Sequence, residues 1–409
     1  MRCGYWERHE CRSCGLIETP RVRQLEDKEL RARAAVGENA IWSPAFAGAE
    51  AAYRNKAKMV VGGTWDAPTL GILDAEQRGV DLSACGILNP ALTAALPAFS
   101  RFIALARLVP YAVRERRGEL KHVIVTTSPA GELMARFVLR STESLPRIRK
   151  HLPTLLGELP GLRVVTANLL PAHAALLEGD EEIALTAQQE LVMPVDGLAL
   201  RIPPRAFFQT NTVVAAALYA QARDWAVEAL RLAPLAQGTT GALVQEATGA
   251  LAQGTTVPLP ERGAAESKGR LREIWDLYCG VGGFALSLAG PGRRVIGVES
   301  SADAIAAARR TAVGRPDTAF VAADATQWAR QQPVAPDLVV VNPPRRGLGP
   351  DLSDWLEASG VGTVIYSSCN PDTLASDLAR MPSLRPIRAR AFDMFPQTEH
   401  LEVMVLLGR

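Results

Sequence analysis

The last third of the chain constrains its fold most strongly, because it alternates β-branched runs with helical ones. EIWDLYC is followed by a glycine turn and the helical GFALSLAG, and RRVIGVE by the helical SADAIAAARRTAV. TAFVAAD, PDLVVVNPP and GTVIYSS then each read as strands, and HLEVMVLLG closes the sequence. Short strands separated by helices of this length predict an α/β domain built on a parallel, doubly wound sheet.

Ahead of this region the pattern differs. NKAKMVVGG, LKHVIVTTS and ARFVLRS carry basic residues at the ends of β-branched stretches, and Leu145 to Leu159 reads as a helix. Residues 1–200 are therefore expected to be mostly β with a few helices, and residues 201–409 to form the α/β domain. Asn211 to Leu232 has apolar residues at helical spacing, ended by Pro234. The stretch 235–270, low in aromatics and containing LAQGTT twice, reads as a mobile surface insertion.

The net charge of +2 says little about partners, but its distribution says more. Residues 101–150 hold 11 Lys/Arg against 4 Asp/Glu, and residues 151–200 hold 1 against 7. Such neighbours are either the footprint of a polyanion-binding face or two surfaces that neutralise each other. The opening MRCGYWERHECRSCG lacks the apolar core of a signal peptide, and no stretch approaches the roughly 18 apolar residues of a membrane span. The expectation is a soluble, cytoplasmic protein with no membrane partner and no evident obligate protein partner.

DLYCGVGGF, Asp276 to Phe284, follows a strand and opens a helix. Gly280, Gly282 and Gly283 suit a sharp turn and the close approach of a ligand. Glu299 ends the next strand, about 20 residues on, where a carboxylate can bind ribose hydroxyls. Asp324 ends the strand after that. Each acid alone fits a helix N-cap, but with the glycine turn they suit a nucleoside across the carboxyl edge of the sheet. No basic residue stands beside the turn to meet a pyrophosphate, so S-adenosylmethionine fits better than NAD. Asn342 tops the apolar strand VVVN and offers both a donor and acceptors to a planar amide. Arg345 and Arg346 follow as candidates to pair with phosphate.

The six cysteines are Cys3, Cys11, Cys14, Cys85, Cys279 and Cys369. In a reducing compartment, clustered cysteines bind metal more often than they pair as disulfides. Cys3, Cys11 and Cys14 form C-x7-C-x2-C, with Cys85 a distant fourth. Zinc is one reading, although Cys3 and Cys11 are widely spaced for a zinc knuckle. The C-x3-C-x2-C of radical S-adenosylmethionine chemistry is not formed. Cys279, beside the glycine turn, reads as core filler. Cys369 follows TVIYSS, where a buried strand surfaces, and is filler, a metal ligand or a nucleophile.

FFQTN (Phe207 to Asn211), DLYCGVGGF, NPPRRG, YSSCN and the closing FPQTEHLEVMVLL, in this order, resemble the RNA uracil-5-methyltransferases. The resemblance covers nearly the whole chain outside 235–270. It implies an α/β fold: a Rossmann-like S-adenosylmethionine methyltransferase domain preceded by a mixed, β-rich RNA-binding domain carrying an iron–sulfur cluster. Gln209, Tyr278, Glu299 and Asn342 match positions that contact S-adenosylmethionine or its immediate surroundings. Cys369 matches the nucleophile and Glu402 the general base. Cys3, Cys11, Cys14 and Cys85 are similar to the four ligands of the family's [4Fe–4S] cluster. RNKAKMVVGG and RGELKHVIV look like the short form that methylates U747 of bacterial 23S ribosomal RNA, which makes that RNA the expected partner.

The implied chemistry is coherent. Carbon 5 of uracil is a poor nucleophile until a thiolate adds at carbon 6, and a base must later remove the carbon 5 proton so that the thiol can leave. A uracil in duplex RNA is out of reach, so the target is a loop base or a flipped one. Lys56, Lys58, Arg116, Arg117 and Lys121 are the candidates to hold the phosphate backbone.

Overall fold

The computed structural model describes residues 1–174, 176–232 and 272–409. The expected insertion at 235–270 lies outside them. The chain forms two compact units, each assembled from separate segments. Met1–Leu30, Ala45–Ala217 and Ala391–Leu401 make the first, and Arg31–Pro44, Leu218–Arg390 and Glu402–Arg409 the second. Composition predicts a single cut after residue 200. The observed division is discontinuous because strands distant in sequence, Ile41–Ala47 and Arg385–Asp393, extend the α/β sheet. Pairing of that kind leaves no trace in local composition.

The first unit is built on a seven-stranded sheet. Its spatial order is Gly79–Asp81, Pro68–Leu73, Lys56–Gly63, Leu120–Thr127, Leu133–Leu139, Leu162–Leu169 and Glu181–Ala184. Lys56–Gly63 alternates, with Ala57, Met59 and Val61 buried and Lys56 and Lys58 turned to the other face. The buried face packs with helices Pro90–Leu105 and Leu145–Glu158 in one core that includes Phe99, Phe102, Val123, Phe137 and Ile148. The second helix bridges the parallel pair Leu133–Leu139 and Leu162–Leu169, as such a pair requires. Its bounds agree with the sequence expectation.

The second unit carries an eight-stranded sheet. Its order is Ile41–Ala47, Arg385–Asp393, Glu402–Gly408, Thr363–Ser368, Leu338–Val341, Arg272–Leu277, Arg293–Glu299 and Thr318–Ala322. The last five are parallel, as the alternating pattern predicts, while Glu402–Gly408 runs antiparallel to Thr363–Ser368. Leu338–Val341 is buried throughout, as expected of a central parallel strand. Trp275 is buried, stacked on Trp355 at 5.8 Å and edge-on to Trp328 at 4.8 Å. The chain first winds from Arg272–Leu277 towards Thr318–Ala322, then returns to add Leu338–Val341 on the opposite side. This reversal opens a crevice at the carboxyl ends of the two neighbouring strands, the usual ligand position in such sheets. No helix among the described residues is long and apolar enough to cross a membrane.

Candidate active site

The reversal point holds most of the predicted cofactor residues. Tyr278 leaves its strand at φ +67°, a left-handed conformation unusual for a bulky residue and typical of functional turns. Gly280, at φ +55°, has open space where a side chain would stand. Its N–H donates to Glu299 Oε2 at 3.3 Å, while Glu299 Oε1 accepts from the Ser301 N–H at 3.0 Å. Glu299 therefore ties the glycine turn to the next strand end. Gly283 has a different reason to be glycine: an added Cβ would meet the Tyr219 hydroxyl at 2.3 Å. Beneath the turn, Asp276 Oδ2 accepts the Ala285 N–H at 2.8 Å, and burial pushes its carboxyl up to about 8.

Asp324 is exposed, and its Oδ1 accepts the Gln327 N–H at 2.9 Å as a helix N-cap. The capping role weighed for it in the sequence is thus realised. Asn342 is half-buried at the end of Leu338–Val341, on the other side of the reversal. Gln209 belongs to the first unit, where it is buried and its carbonyl accepts from Asn55 Nδ2 at 3.0 Å.

Cys369 and Glu402 come together at the end of one ladder. The antiparallel pairs run from Thr363↔Gly408 to Ser368↔Val403, so Cys369 directly follows the end of one strand and Glu402 opens the strand that faces it. The Ser367 hydroxyl donates to Glu402 Oε1 at 2.6 Å, and the Glu402 charge acts on the Cys369 thiol. Glu402 is only 2% exposed, and burial pushes its carboxyl up to about 7 against the opposing Ser367 bond. Cys369 is half-buried. Burial raises its thiol pKa and the Glu402 charge raises it further, while Arg345 and then the Cys369 N–H oppose. Cys279 is buried in the core, as expected, packed close to Gly297.

Arg345 was foreseen as a phosphate contact; the structure sets it beside the thiol. Its carbonyl accepts from Asn370 Nδ2 at 3.1 Å and Thr373 Oγ1 at 3.3 Å, so the loop after Asn342 is tied to the loop after Cys369. Asp377 completes the tie. Its Oδ2 accepts from the Tyr366 hydroxyl at 2.6 Å and the Leu348 N–H at 2.8 Å, all within the protein interior. Sequence reasoning missed Asp377, because an acid inside an ordinary amphipathic helix carries no mark of its role. Ser367 did have a signal, the paired serines before Cys369.

In the first unit, Cys3, Cys11, Cys14 and Cys85 all line one cavity of about 240 Å³, together with Met1, Tyr5, Arg54 and Lys58. Burial pushes the Cys14 thiol up to about 11, and Cys85, Cys11 and Cys3 add to the rise. No group of three or more His, Cys, Asp or Glu side chains among the described residues is placed to hold a metal ion.

The charge asymmetry is partly spent inside this unit. Arg136 from the basic segment is buried against Glu178 and Glu182 of the acidic one, with Glu182 Oε2 at 2.6 Å. Lys121 is buried, donates to the Ala172 carbonyl at 2.7 Å and lies over the Tyr111 ring, which removes it from the candidate phosphate contacts. Arg116 and Arg117 are exposed. Lys58 is exposed and Lys56 half-buried on the sheet face opposite the helices. Burial, with Lys58 and Arg136 adding, pulls the Lys56 ammonium down to about 8.

Residues 332–409 match the family described as tRNA (Uracil-5-)-methyltransferase. The chain is 42% identical over 418 residues to the 23S rRNA (uracil(747)-C(5))-methyltransferase RlmC of Halothiobacillus neapolitanus, with all of both chains covered. It is 43% identical over 417 residues to the protein of the same description from Cronobacter sakazakii, again end to end. Its fold is similar to that of the Pyrococcus abyssi tRNA (uracil-54, C5)-methyltransferase, solved in complex with S-adenosyl-L-homocysteine. There the TM-score is 0.71 at 23% identity, covering 96% of this chain and 85% of that one.

Proposed function

This chain belongs to the 23S rRNA uracil-C5-methyltransferase family, and from that membership we propose how its residues perform the reaction. The family's activity is transfer of a methyl group from S-adenosylmethionine to carbon 5 of U747 in 23S ribosomal RNA. The observation that carries our reading is the meeting of Cys369 and Glu402 at one ladder end, beside the crevice where the sheet reverses.

In this reading the Cys369 thiolate adds to carbon 6, and the resulting enolate attacks the donor methyl through carbon 5. Glu402 as carboxylate then takes the carbon 5 proton, the carbon 5–carbon 6 double bond re-forms, and Cys369 departs as thiolate. Arg345 counters the burial and the Glu402 charge that hold the thiol protonated. Gly280 and Glu299 receive the nucleoside of S-adenosylmethionine, with Tyr278 and Asn342 flanking it. Gln209 is kept as a cofactor-side residue on the family match, Gly283 shapes the turn through packing, and Asp324, whose Oδ1 caps its helix, is kept as a cofactor-side acid at its strand end. Labelled S-adenosylmethionine, this protein and unmodified 23S RNA should yield label at U747 when the product is mapped. Label at another uridine would change the substrate, and RNA without label would reject the reading.

We read Cys3, Cys11, Cys14 and Cys85 as ligands of a [4Fe–4S] cluster. Four thiols line one cavity, and thiolates are the ligands such a cluster takes. When bound, the cluster supplies a covalent cross-link that joins residues 3–14 to residue 85. Iron and sulfide analysis of anaerobically prepared protein tests this, with substitution of Cys14 expected to abolish binding.

Lys56, Lys58, Arg116 and Arg117 remain the candidates for phosphate contact. Replacing Lys58 with Gln should weaken RNA binding about equally for different sequences. It should also reduce the slope of log affinity against log salt by about 1, read from binding at several salt concentrations.

A further inference from the structure

We propose that Ser367 is a positioning residue for the elimination step, holding the Glu402 carboxylate in the orientation that receives the carbon 5 proton. The inference rests on the reading of Glu402 as the base. Ser367 lies on the strand Thr363–Ser368, two residues before Cys369, and its hydroxyl, the Glu402 carboxylate and the Cys369 thiol gather at the ladder's open end. Its hydroxyl donates to Glu402 Oε1 at 2.6 Å, the short distance of a charge-assisted bond. Ser367 is fully buried and Glu402 nearly so. A buried carboxylate without a donor adopts its neutral form, in which it accepts no proton.

The surroundings leave this task to few groups. Cys369, just past the end of the paired strand, is a titratable neighbour of Glu402, and its thiolate would disfavour a second negative charge. Arg345, from the loop after Asn342, acts on the thiol. Ser367 is the group that opposes the effect of burial at Glu402. Its bond also fixes one carboxylate oxygen and leaves Oε2 available for the proton. During elimination the carbon 5–hydrogen bond breaks towards that oxygen. Its electrons form the carbon 5–carbon 6 double bond, and the carbon 6–sulfur pair leaves with Cys369.

The test is single-turnover kinetics of the full-length protein with unmodified 23S RNA and S-adenosylmethionine, following formation and decay of the covalent protein–RNA adduct. In Ser367→Ala, adduct formation should change far less than decay. Decay should slow by roughly tenfold or more near pH 7, and its pH profile should move to higher pH by about one unit, the size expected for loss of one hydrogen bond to a charged group. Ser367→Thr keeps the hydroxyl and should restore both rate and profile. If the Ala protein forms no adduct, the Thr variant carries the test through its own decay profile, and a Thr variant with a displaced profile overturns the proposal. An Ala variant whose adduct decays with the parent rate and pH dependence also overturns it. Glu402→Gln separates the two readings. If it traps adduct while Ser367→Ala behaves as the parent, Ser367 loses its role and Glu402 keeps its own. If Glu402→Gln releases product normally, the base assignment itself fails.

Discussion

Cys369→Ala should abolish methylation, with turnover falling by roughly four to six orders of magnitude, the scale seen when a covalent nucleophile is removed. The enolate that makes carbon 5 reactive arises only after sulfur adds at carbon 6, so no partial route is left to neighbouring groups. The variant should also form no protein–RNA adduct on denaturing gels, while a melt shows it folded, because the half-buried side chain contributes little packing. S-adenosylmethionine binding, measured by calorimetry, should survive, since the glycine turn and Glu299 lie on other strands. Residual turnover within tenfold of the parent would remove Cys369 from the mechanism.

Glu402→Gln should have an equally large but opposite appearance: the adduct forms, is methylated, and accumulates. An amide cannot take the carbon 5 proton, so the sulfur cannot leave. Its pH behaviour is also predictable. Burial lifts the Glu402 carboxyl from 4.5 to about 7, so the fraction able to act as a base rises through neutrality. Adduct decay in the parent should therefore rise between about pH 6 and pH 8 and level off above. Stability should follow the opposite course. A group with a raised folded pKa contributes most below its unfolded value, and that contribution is lost as pH rises through the folded one. For Glu402 the window runs from 4.5 to about 7, and the loss is on the order of 3 kcal/mol. At pH 8 the Gln variant should melt at a higher temperature than the parent, with the difference shrinking towards pH 5. A melting difference independent of pH would show that Glu402 is not held in a desolvated site.

Much of this site was legible in the sequence, for identifiable reasons. The βα alternation fixed the parallel sheet because helices and strands of that length have few other ways to bury their apolar faces. The glycine turn stands at the end of a strand that borders the reversal, and Glu299 is hydrogen-bonded to it, while Asp324 lies at the sheet's far edge. Cys369 stood out as a thiol at a strand end. The role of Glu402 did not follow from LEVMVLL, where an acid reads equally well as an outward-facing strand residue. The resemblance alone suggested that role, and the placement of Glu402 near Cys369 depends on pairing with a strand more than thirty positions away. The proximity of Arg345 to Cys369 had no sign in the sequence, where its neighbours are prolines and an arginine. The basic and acidic segments of the first unit likewise looked like separate surfaces until Arg136 was found buried between Glu178 and Glu182.

If Cys369 and Glu402 act as nucleophile and base, their placement at the end of one strand pair has a consequence for how such a chain can vary. Side chains alternate faces along a strand, so one residue inserted or deleted between Thr363 and Cys369, or between Glu402 and Gly408, would turn one partner away while leaving every catalytic amino acid present. Single-residue length changes in these two short stretches should therefore be as damaging as substitution of Cys369 itself. A homologue can keep all its signature residues and still be inactive, and its strand lengths, counted residue by residue, are the place to look.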